Sequence, residues 1–282
     1  MGEGTVYVGT LNDGIYAFAP SGTVRRLDDK QGFPSAEVQG LDFLEGKLYA
    51  ALGGGYLVAY EPQAGRFEVL ASSRRKEKRT PFDDLPGGFS VSGVVADPRR
   101  DRLLLPLYEN PLPAGNQPGQ VRTPVSGFWE LNVKSGAFKR HLRFTSWSHA
   151  YFVSPIRGDH LLLSNYTWAL DYDLARDKPD LLWAFNPVGP DLGIDKARCK
   201  DYFGMNSPRW YQDGWLWTDR PFGRLSLAGK RQERFPPLGQ ARDLNPFQPR
   251  EAIEPLGKGD QVLIADLYTV WVVTLRKEKA KS

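Results

Sequence analysis

The sequence has a single cysteine, Cys199, among its 282 residues. One thiol excludes an internal disulfide and any zinc site built from several cysteines. No apolar run approaches the roughly 20 residues that a membrane-spanning helix needs, and residues 1–4 lack the charged and then apolar pattern of a signal segment. The excess of one sign of charge is also small, because 37 basic and 33 acidic residues leave a net charge of only +4. This balance disfavours nucleic acid as a partner, and we interpret the basic runs at 74–79 and 276–281 as a solvated loop and tail.

Turn-forming and aromatic residues, by contrast, are abundant. The 29 glycines, 22 prolines and 12% aromatic residues are typical of many short strands joined by tight turns. Hydrophobic residues make up 41% of the sequence and occur along its whole length, which argues against disorder. One body of this length buries roughly three quarters of its extended-chain surface. We therefore predict a single all-β domain over residues 1–282.

A sequence phrase recurs with variations and predicts the architecture. Thr5–Thr10 is followed by a short loop, by Ile15–Phe18 and by a Pro-Ser-Gly turn. From Lys47, 42 positions after Thr5, the chain again has an apolar run, a glycine turn, Leu57–Tyr60 and a Pro-Gln-Ala-Gly turn. Short strands repeated at about this period are typical of a β-propeller, in which four antiparallel strands form one blade. The sequence thus predicts about six blades, either as a complete ring or as the C-terminal part of a larger propeller.

Each predicted blade has a nearly continuous apolar second strand, as expected of a strand that is covered on both faces. The predicted second strands begin near Thr5, Lys47, Arg102, His160, Trp215 and Gln261, and the third strands are Gly14–Phe18, Tyr56–Tyr60, Gly127–Asn132, Trp168–Asp173, Phe222–Leu227 and Thr269–Leu275. First strands are predicted at Val38–Phe43, Phe89–Ala96, Ala150–Ile156, Pro208–Gln212 and Glu251–Leu256. Fourth strands, which alternate and carry charge, are predicted at Thr23–Leu27, Phe67–Ala71, Phe138–Phe144, Leu181–Phe185 and Arg231–Phe235.

The spacing between second strands rises from 42 to 55, 58 and 55 residues before it falls to 46. The extra residues lie in four connections, which are Ser72–Gly88, Glu109–Ser126, Asn186–Ser207 and Pro236–Arg250. Each one joins either a second strand to a third strand or a fourth strand to the next blade. In an antiparallel blade both kinds of connection emerge at the same end. Long loops on a rigid scaffold are where binding is usually found, so we expect the functional surface at this end.

The first repeats also resemble a known family. Residues 31–41 read Gln-Gly-Phe-Pro-Ser-Ala-Glu-Val-Gln-Gly-Leu and follow an aromatic-Val-Gly-Thr strand at Tyr7–Thr10. Together with the Glu-Pro-Gln-Ala-Gly turn within Tyr60–Phe67, this order resembles the regulator-propeller repeat of two-component sensor proteins. The resemblance covers about the first 70 residues, and the remainder keeps only the period. It implies a sensory role in signal transduction outside the cytoplasm, whereas without it the low cysteine content fits a cytoplasmic protein. The repeat motif contains no catalytic residue.

Polar and aromatic residues near the loop-rich end are the candidate ligand contacts. Flat rings can stack there on sugar faces or peptide side chains, and carboxylate or amide oxygens, including those of Asn12 and Asp13, can hold a hard cation such as calcium. His149 is the one histidine predicted at this end, since His141 falls on an outer strand and His160 opens a second strand. The predicted ligand-binding residues are Tyr108, Glu109, Asn110, Trp147, His149, Asn165, Tyr166, Trp210, Asp219, Arg220 and Asp266.

The sequence contains no phosphate-binding glycine loop and no nucleophile elbow, and Cys199 has no neighbouring histidine in sequence to activate it. We therefore expect a non-catalytic recognition or sensory domain that binds a small molecule, a glycan or a protein at the loop-rich end, without a cofactor. One alternative is a propeller hydrolase or lyase that holds a divalent cation, such as calcium, in its central funnel. Another is a scaffold for protein interactions.

Overall fold

The structure, a computed structural model, describes residues 4–73, 89–109, 125–145, 152–165 and 168–184, and the strands at 209–211, 214–217, 223–226, 231–234, 252–255, 261–265 and 270–274. Within these residues every regular element is a β-strand, apart from one short 3-10 helix at Asp29–Gln31. The strands form antiparallel sheets, three of which have four strands in simple order. The prediction of an all-β fold built from such sheets is confirmed. The chain divides into two compact units, Met1–Tyr151 with Pro190–Gly193 and Phe152–Gly189 with Ile194–Ser282.

The described strands of the first unit form three sheets, which we number in chain order. Sheet 1 consists of β1 Val6–Gly9, β2 Ile15–Phe18 and β3 Val24–Leu27. Sheet 2 consists of β4 Val38–Leu44, β5 Lys47–Leu52, β6 Tyr56–Glu61 and β7 Arg66–Ser72. Sheet 3 consists of β8 Phe89–Val91 and β9 Val95–Asp97, which both pair with β10 Arg102–Glu109, and of β11 Val125–Asn132 and β12 Phe138–Thr145. Their order along the chain agrees with the predicted second, third and fourth strands.

The described strands of the second unit form three further sheets. Sheet 4 consists of β13 Phe152–Val153, β14 His160–Asn165, β15 Trp168–Asp173 and β16 Lys178–Ala184. Sheet 5 consists of β17 Arg209–Tyr211, β18 Gly214–Trp217, β19 Gly223–Ser226 and β20 Arg231–Arg234. Sheet 6 consists of β21 Ala252–Pro255, β22 Gln261–Ala265 and β23 Val270–Thr274.

One predicted strand differs clearly from the structure. The first strand of sheet 3, predicted as a continuous Phe89–Ala96, is split into β8 and β9. Pairing with β10 stops at Leu107 opposite Val91 and resumes at Leu104 opposite Val95. Pro106 lies in this gap, and a proline has no N–H to donate to a neighbouring strand. The proline therefore interrupts the ladder and divides the strand.

Sheet 2 is covered by another sheet on each face. Every residue of β5 from Leu48 to Leu52 is at most 5% exposed. One face packs against Ile15 and Leu27 of sheet 1, and the other packs against Leu103 and Leu105 of sheet 3. A strand buried on both faces has no polar side to present to water. This explains the continuous apolar second strands from which the architecture was predicted.

The first strands of sheets 2 and 3 approach each other closely at two glycines. A Cβ atom on Gly40 would lie 2.8 Å from the Cα of Gly93 and 3.2 Å from the amide nitrogen of Val94. Two residues further on, the Asp42 carboxylate accepts a 2.8 Å hydrogen bond from the backbone N–H of Ala96. Any side chain at Gly40 would therefore push the two sheets apart at the point where this carboxylate joins them.

We predict that Gly40→Ala lowers the free energy of unfolding by about 1–3 kcal/mol, because the added methyl group overpacks the backbone contact with Gly93. Gln39→Ala is the control, since Gln39 is exposed on the same strand and its replacement should change stability by less than about 0.5 kcal/mol. Urea denaturation measures both variants. Equal effects at the two positions would contradict the close approach.

Candidate functional site

The antiparallel order of each sheet sorts its connections into two groups, at opposite ends of the strands. The end that we call the hairpin end has short turns, such as Glu45-Gly46 between β4 and β5 and residues 62–65 between β6 and β7. The other end, which we call the loop end, has the connections between second and third strands and those that lead to the next sheet. The longest connections all belong to this group, and they are 73–88, 110–124, 185–208 and 235–251. The predicted separation is confirmed within each sheet.

Residues 110–124 are an insertion that sheet 3 does not need for its closure. Glu109, at the end of β10, pairs directly with Val125 at the start of β11. Val125 in turn pairs with Thr145 of β12. Two directly paired residues can be joined by a two-residue hairpin turn. The residues before and after the insertion are therefore direct neighbours at the loop end of sheet 3.

Residues 74–88 also leave and re-enter the described structure at nearby points. The backbone N–H of Ser73 donates a 2.9 Å hydrogen bond to the carbonyl of Gly55. A Cβ on Gly55 would lie 2.4 Å from the Ser73 hydroxyl oxygen and 2.2 Å from the Phe89 carbonyl oxygen. Ser73 and Phe89 thus both lie against Gly55, so the two ends of the 74–88 connection are close to each other in space. Gly55 has φ +75°, a conformation that favours glycine, and the contact leaves no room for a side chain.

The loop end of sheet 1 is tied to the start of sheet 2. The Thr10 hydroxyl accepts a 2.8 Å hydrogen bond from the N–H of Asp13 and donates one of 2.9 Å to the carbonyl of Gly14. The Thr10 carbonyl accepts from the N–H of Val38, at 2.8 Å. These bonds fix the first turn against the first strand of the next sheet.

Asp13, considered in the sequence as an oxygen donor to a cation, is held by protein groups. Its carboxylate lies 2.8 Å from the guanidinium of Arg26 and accepts a hydrogen bond from the hydroxyl of Tyr16. That hydrogen bond raises the pKa of Tyr16. Across the part of the chain that the structure describes, no three His, Cys, Asp or Glu side chains are grouped so that they could hold a metal ion.

Four of the predicted ligand-binding residues fall within the described strands. Tyr108 and Glu109 are the last two residues of β10 and lie at the loop end of sheet 3. Tyr108 is partly buried, and this burial raises its pKa. In the second unit, Asn165 ends β14 at its loop end, in register with Trp168. Trp210 pairs with Trp215, one residue from the hairpin end of sheet 5.

The remaining predicted contacts lie outside the described residues, and they are Asn110, Trp147, His149, Tyr166, Asp219, Arg220 and Asp266. Tyr108 and Glu109, which are adjacent in the sequence, thus lie in the first unit beside the ends of the 110–124 insertion. Asn165 is described only within the second unit. No helix in the described ranges has the length and apolar character needed to cross a membrane.

A buried network of ionisable groups in sheet 3 was not predicted. Both the Nε and Nη2 atoms of Arg102 lie 3.0 Å from Asp97 Oδ2, and Nη1 donates to Glu130 Oε2. His141 Nε2 lies 3.0 Å from the same Glu130 oxygen. The side chains of Asp97 and His141 are each 1% exposed. His141 is on an outer strand as predicted, and its ring is buried beside Glu130.

Related contacts between a basic residue and a carboxylate recur at the hairpin ends of other sheets. The first residue of β5, Lys47, lies 2.7 Å from Glu61 at the end of β6. In sheet 4, His160 Nδ1 lies 3.1 Å from Asp171, and burial raises the pKa of that carboxyl group. The first residue of β5, β10 and β14 is thus basic in each case, and it contacts a carboxylate on the third strand. The recurrence indicates a scaffold role for these charges.

Solved structures show what the fold is similar to. The computationally designed Ika8 protein has a TM-score of 0.53 and 10% identity over 98% of this chain and 82% of that chain. A chain of the mitotic checkpoint complex has a TM-score of 0.56 and 10% identity over 96% of this chain and 71% of its own. PorZ, an essential bacterial surface component of the type-IX secretion system of Porphyromonas gingivalis, has a TM-score of 0.51 and 13% identity over 96% of this chain and 30% of its own.

At these identities the similarity concerns the fold alone, and it indicates a β-propeller-like fold. No protein-family model and no curated protein matches the sequence. The regulator-propeller resemblance therefore stays a prediction.

We predict that Glu130→Gln lowers the free energy of unfolding at pH 7 by on the order of 2–4 kcal/mol. The reason is that Arg102 and His141 both contact the negatively charged Glu130 carboxylate, which the substitution removes. Burial alone would raise the pKa of Glu130, but the hydrogen bonds from Arg102 and His141 outweigh it and lower that pKa. A lowered carboxyl pKa adds stability above the unfolded value of about 4.3, and this stability is lost as the pH falls through the folded value. Urea denaturation between pH 3 and pH 7 measures the effect.

The difference between wild type and Glu130→Gln should therefore shrink in acid. Glu45→Gln is the control, since Glu45 lies on the surface 3.5 Å from Lys134 and should contribute less than about 1 kcal/mol. A difference at Glu130 that stays constant with pH would show that the carboxylate charge is not what stabilises the sheet.

Proposed function

We propose that the sheets are the blades of one β-propeller domain of about six blades, and that this domain is a non-catalytic recognition module. The propeller-like similarity of solved structures supports the first part. The second part depends on one observation. The residues that flank 74–88, and those that flank 110–124, already lie close together without the inserted residues. The sheets do not need such residues for their strand pairing, whereas a binding surface obtains contact area and sequence variety from them.

The position of Tyr108 supports binding at the loop end of sheet 3. Its ring lies next to the start of the insertion and is partly buried, so it loses little conformational freedom when a ligand contacts it. A flat ring with a polar tip suits the face of a sugar or the side chain of a peptide. The ligand class is accordingly a small molecule, a glycan or a protein segment that stacks on an aromatic ring. A sensory role of the regulator-propeller type is a narrower form of this proposal.

The test is to remove the insertions without disturbing the sheets. Replacing residues 110–124 by Asn-Gly, or residues 74–88 by a short Gly-Ser linker, should shift the melting temperature by only a few degrees, because shortening a closed loop changes the closure entropy little. The full chain is first screened against a glycan array and a peptide library. Each insertion variant is then compared with wild type on the ligands found, by biolayer interferometry.

We expect at least one of the two replacements to abolish binding to these ligands. Tyr108→Ala should weaken binding by about tenfold, and Tyr108→Phe, which keeps the ring, should not. The control replaces Gln63 and Ala64, in the turn at the hairpin end of sheet 2, by Gly-Ser and should leave binding unchanged. Full affinity in both insertion variants would overturn the proposal.

A cation-dependent hydrolase or lyase predicts a different response. A calcium ion bound only by the folded state would raise the melting temperature by several degrees when calcium is added after EDTA treatment. The recognition proposal predicts no such shift. It is supported by the contacts of Asp13, whose carboxylate is already paired with Arg26 and hydrogen-bonded by the Tyr16 hydroxyl. Differential scanning calorimetry in EDTA and then in calcium measures the difference, with magnesium as the control ion.

A further inference from the structure

A cavity of about 330 Å³ lies at the hairpin end of sheet 2, and we call it the sheet 2 cavity. Its walls come from β5, β6 and β7, and its lining residues are Lys47, Ala59, Glu61, Arg66, Phe67 and Glu68. Pockets that bind small molecules have volumes of roughly 300–1,000 Å³. The cavity is therefore large enough for a ligand of the size of a free amino acid and too small for a glycan chain.

Two other sheets carry a carboxylate at the register position that Ala59 has in sheet 2. In sheet 3, Glu130 pairs with Leu104, two residues after Arg102, and it accepts a hydrogen bond from Nη1 of Arg102. In sheet 4, Asp171 has the same register position and lies 3.1 Å from Nδ1 of His160. Each of these carboxylates thus contacts the basic side chain that begins the second strand of its sheet.

Sheet 2 keeps the basic residue but lacks this carboxylate. Ala59 pairs with Tyr49, which lies two residues after Lys47. Ala59 is therefore the counterpart of Glu130, and its methyl group leaves open the space that a longer side chain occupies in sheet 3. Lys47 contacts Glu61 instead, which is the last residue of β6 and lies 2.7 Å away. The sheet 2 cavity thus lies at the position from which a carboxylate would contact Lys47.

The two cations of the cavity keep hydrogen-bond donors for an anionic group. Glu61 Oε1 lies 2.7 Å from Lys47 Nζ, and Glu61 Oε2 accepts a 3.0 Å hydrogen bond from Arg66 Nε. Lys47 Nζ carries further N–H groups, and the Nη groups of Arg66 have no partner among the described residues. The fork of N–H groups on a guanidinium matches the two oxygens of a carboxylate.

A further carboxylate limits which anions fit. Glu68 on β7 pairs directly with Ala59. The pKa of Lys47 is raised by its hydrogen bond with Glu61 and also by the charge of Glu68. An anion above Ala59 would lie beside Glu68 as well, and two like charges repel each other unless a positive charge lies near both. The two cations and two carboxylates of the cavity therefore suit a ligand that carries both signs of charge.

We propose that the sheet 2 cavity binds a free α-amino acid. The carboxylate of this ligand lies above Ala59, at the position that Glu130 has in sheet 3, and accepts hydrogen bonds from Lys47 and Arg66. The ammonium group of the ligand lies beside Glu68. This site is at the hairpin end of sheet 2, so the inference goes beyond recognition at the loop end and does not depend on it.

The first test screens the full chain against each of the common L-amino acids, at up to about 10 mM, by saturation-transfer difference NMR. At least one of them should bind, with a dissociation constant on the order of 0.1–1 mM by isothermal titration calorimetry. Each amino acid that binds is then compared with its deaminated and decarboxylated analogues, which keep one charge each. Both analogues should bind at least about tenfold more weakly.

Variants of the lining residues test the position of the site. Arg66→Gln should weaken binding by about tenfold or more, because it removes the guanidinium. Ala59→Glu should abolish binding, because it places a carboxylate of the protein where the ligand carboxylate would lie. The matched control is Arg176→Gln, which should leave binding unchanged. Arg176 is 81% exposed and Arg66 is 75% exposed, and each contacts a carboxylate at the end of a third strand through its Nε atom.

Glu68→Gln tests the orientation of the ligand. It should weaken binding of the amino acid, whose ammonium group loses its partner. It should also strengthen binding of the deaminated analogue, because the repulsion between the two carboxylates is removed. A merely structural role of Glu68 would instead weaken both ligands to the same extent.

Circular dichroism establishes that each variant is folded, and the exposed Arg66→Gln decides the test if Ala59→Glu does not fold. A wild-type chain that binds none of the amino acids would overturn the inference. Full affinity in Arg66→Gln would overturn it as well. Loss of amino-acid binding in the variants that lack residues 74–88 or 110–124, with binding intact in Arg66→Gln, would place the ligand at the loop end instead.

Discussion

Burial of sheet faces on both sides is the constraint on which the structure depends. Sheet 2 has an apolar partner on each face, and the contact at Gly40 and Gly93 sets how closely its first strand approaches sheet 3. Because both faces of β5 are buried from Leu48 to Leu52, its side chains there must be apolar or aromatic. The charged groups Asp97, Arg102 and Glu130 enter this stack as ion pairs.

Antiparallel pairing then determines where sequence can vary. Neighbouring strands alternate in direction, so each sheet has one end with short turns and one end with all the remaining connections. Glu109 and Val125 show how this works, since they pair as if no residues separated them. Ion pairs such as Lys47–Glu61 lie at the opposite end and contact only scaffold groups. The long insertions and the ion pairs of this kind thus lie at opposite ends of the same strands.

The fold was largely predictable from sequence because the signals for the second and third strands are local. Apolar runs such as Leu103–Leu105 and the turns after them place strands to within one or two residues. The division of β8 from β9 was not predicted, since it depends on the missing N–H of Pro106 on the neighbouring strand. Likewise, the register of β17, which places Trp210 opposite Trp215, was not predicted.

The candidate site was less predictable than the fold. Tyr108 and Glu109 lie at the expected end because strand polarity alone determines it, whereas the contacts of Asp13 with Arg26 and Tyr16 come from three different elements.

The paired residues Glu109 and Val125 have a practical consequence for engineering. Closure entropy rises only with the logarithm of loop length, by about 0.6 kcal/mol per doubling. Foreign peptides grafted between these two anchors would be displayed with both ends clamped, and the supporting scaffold would tolerate cargo of very different size.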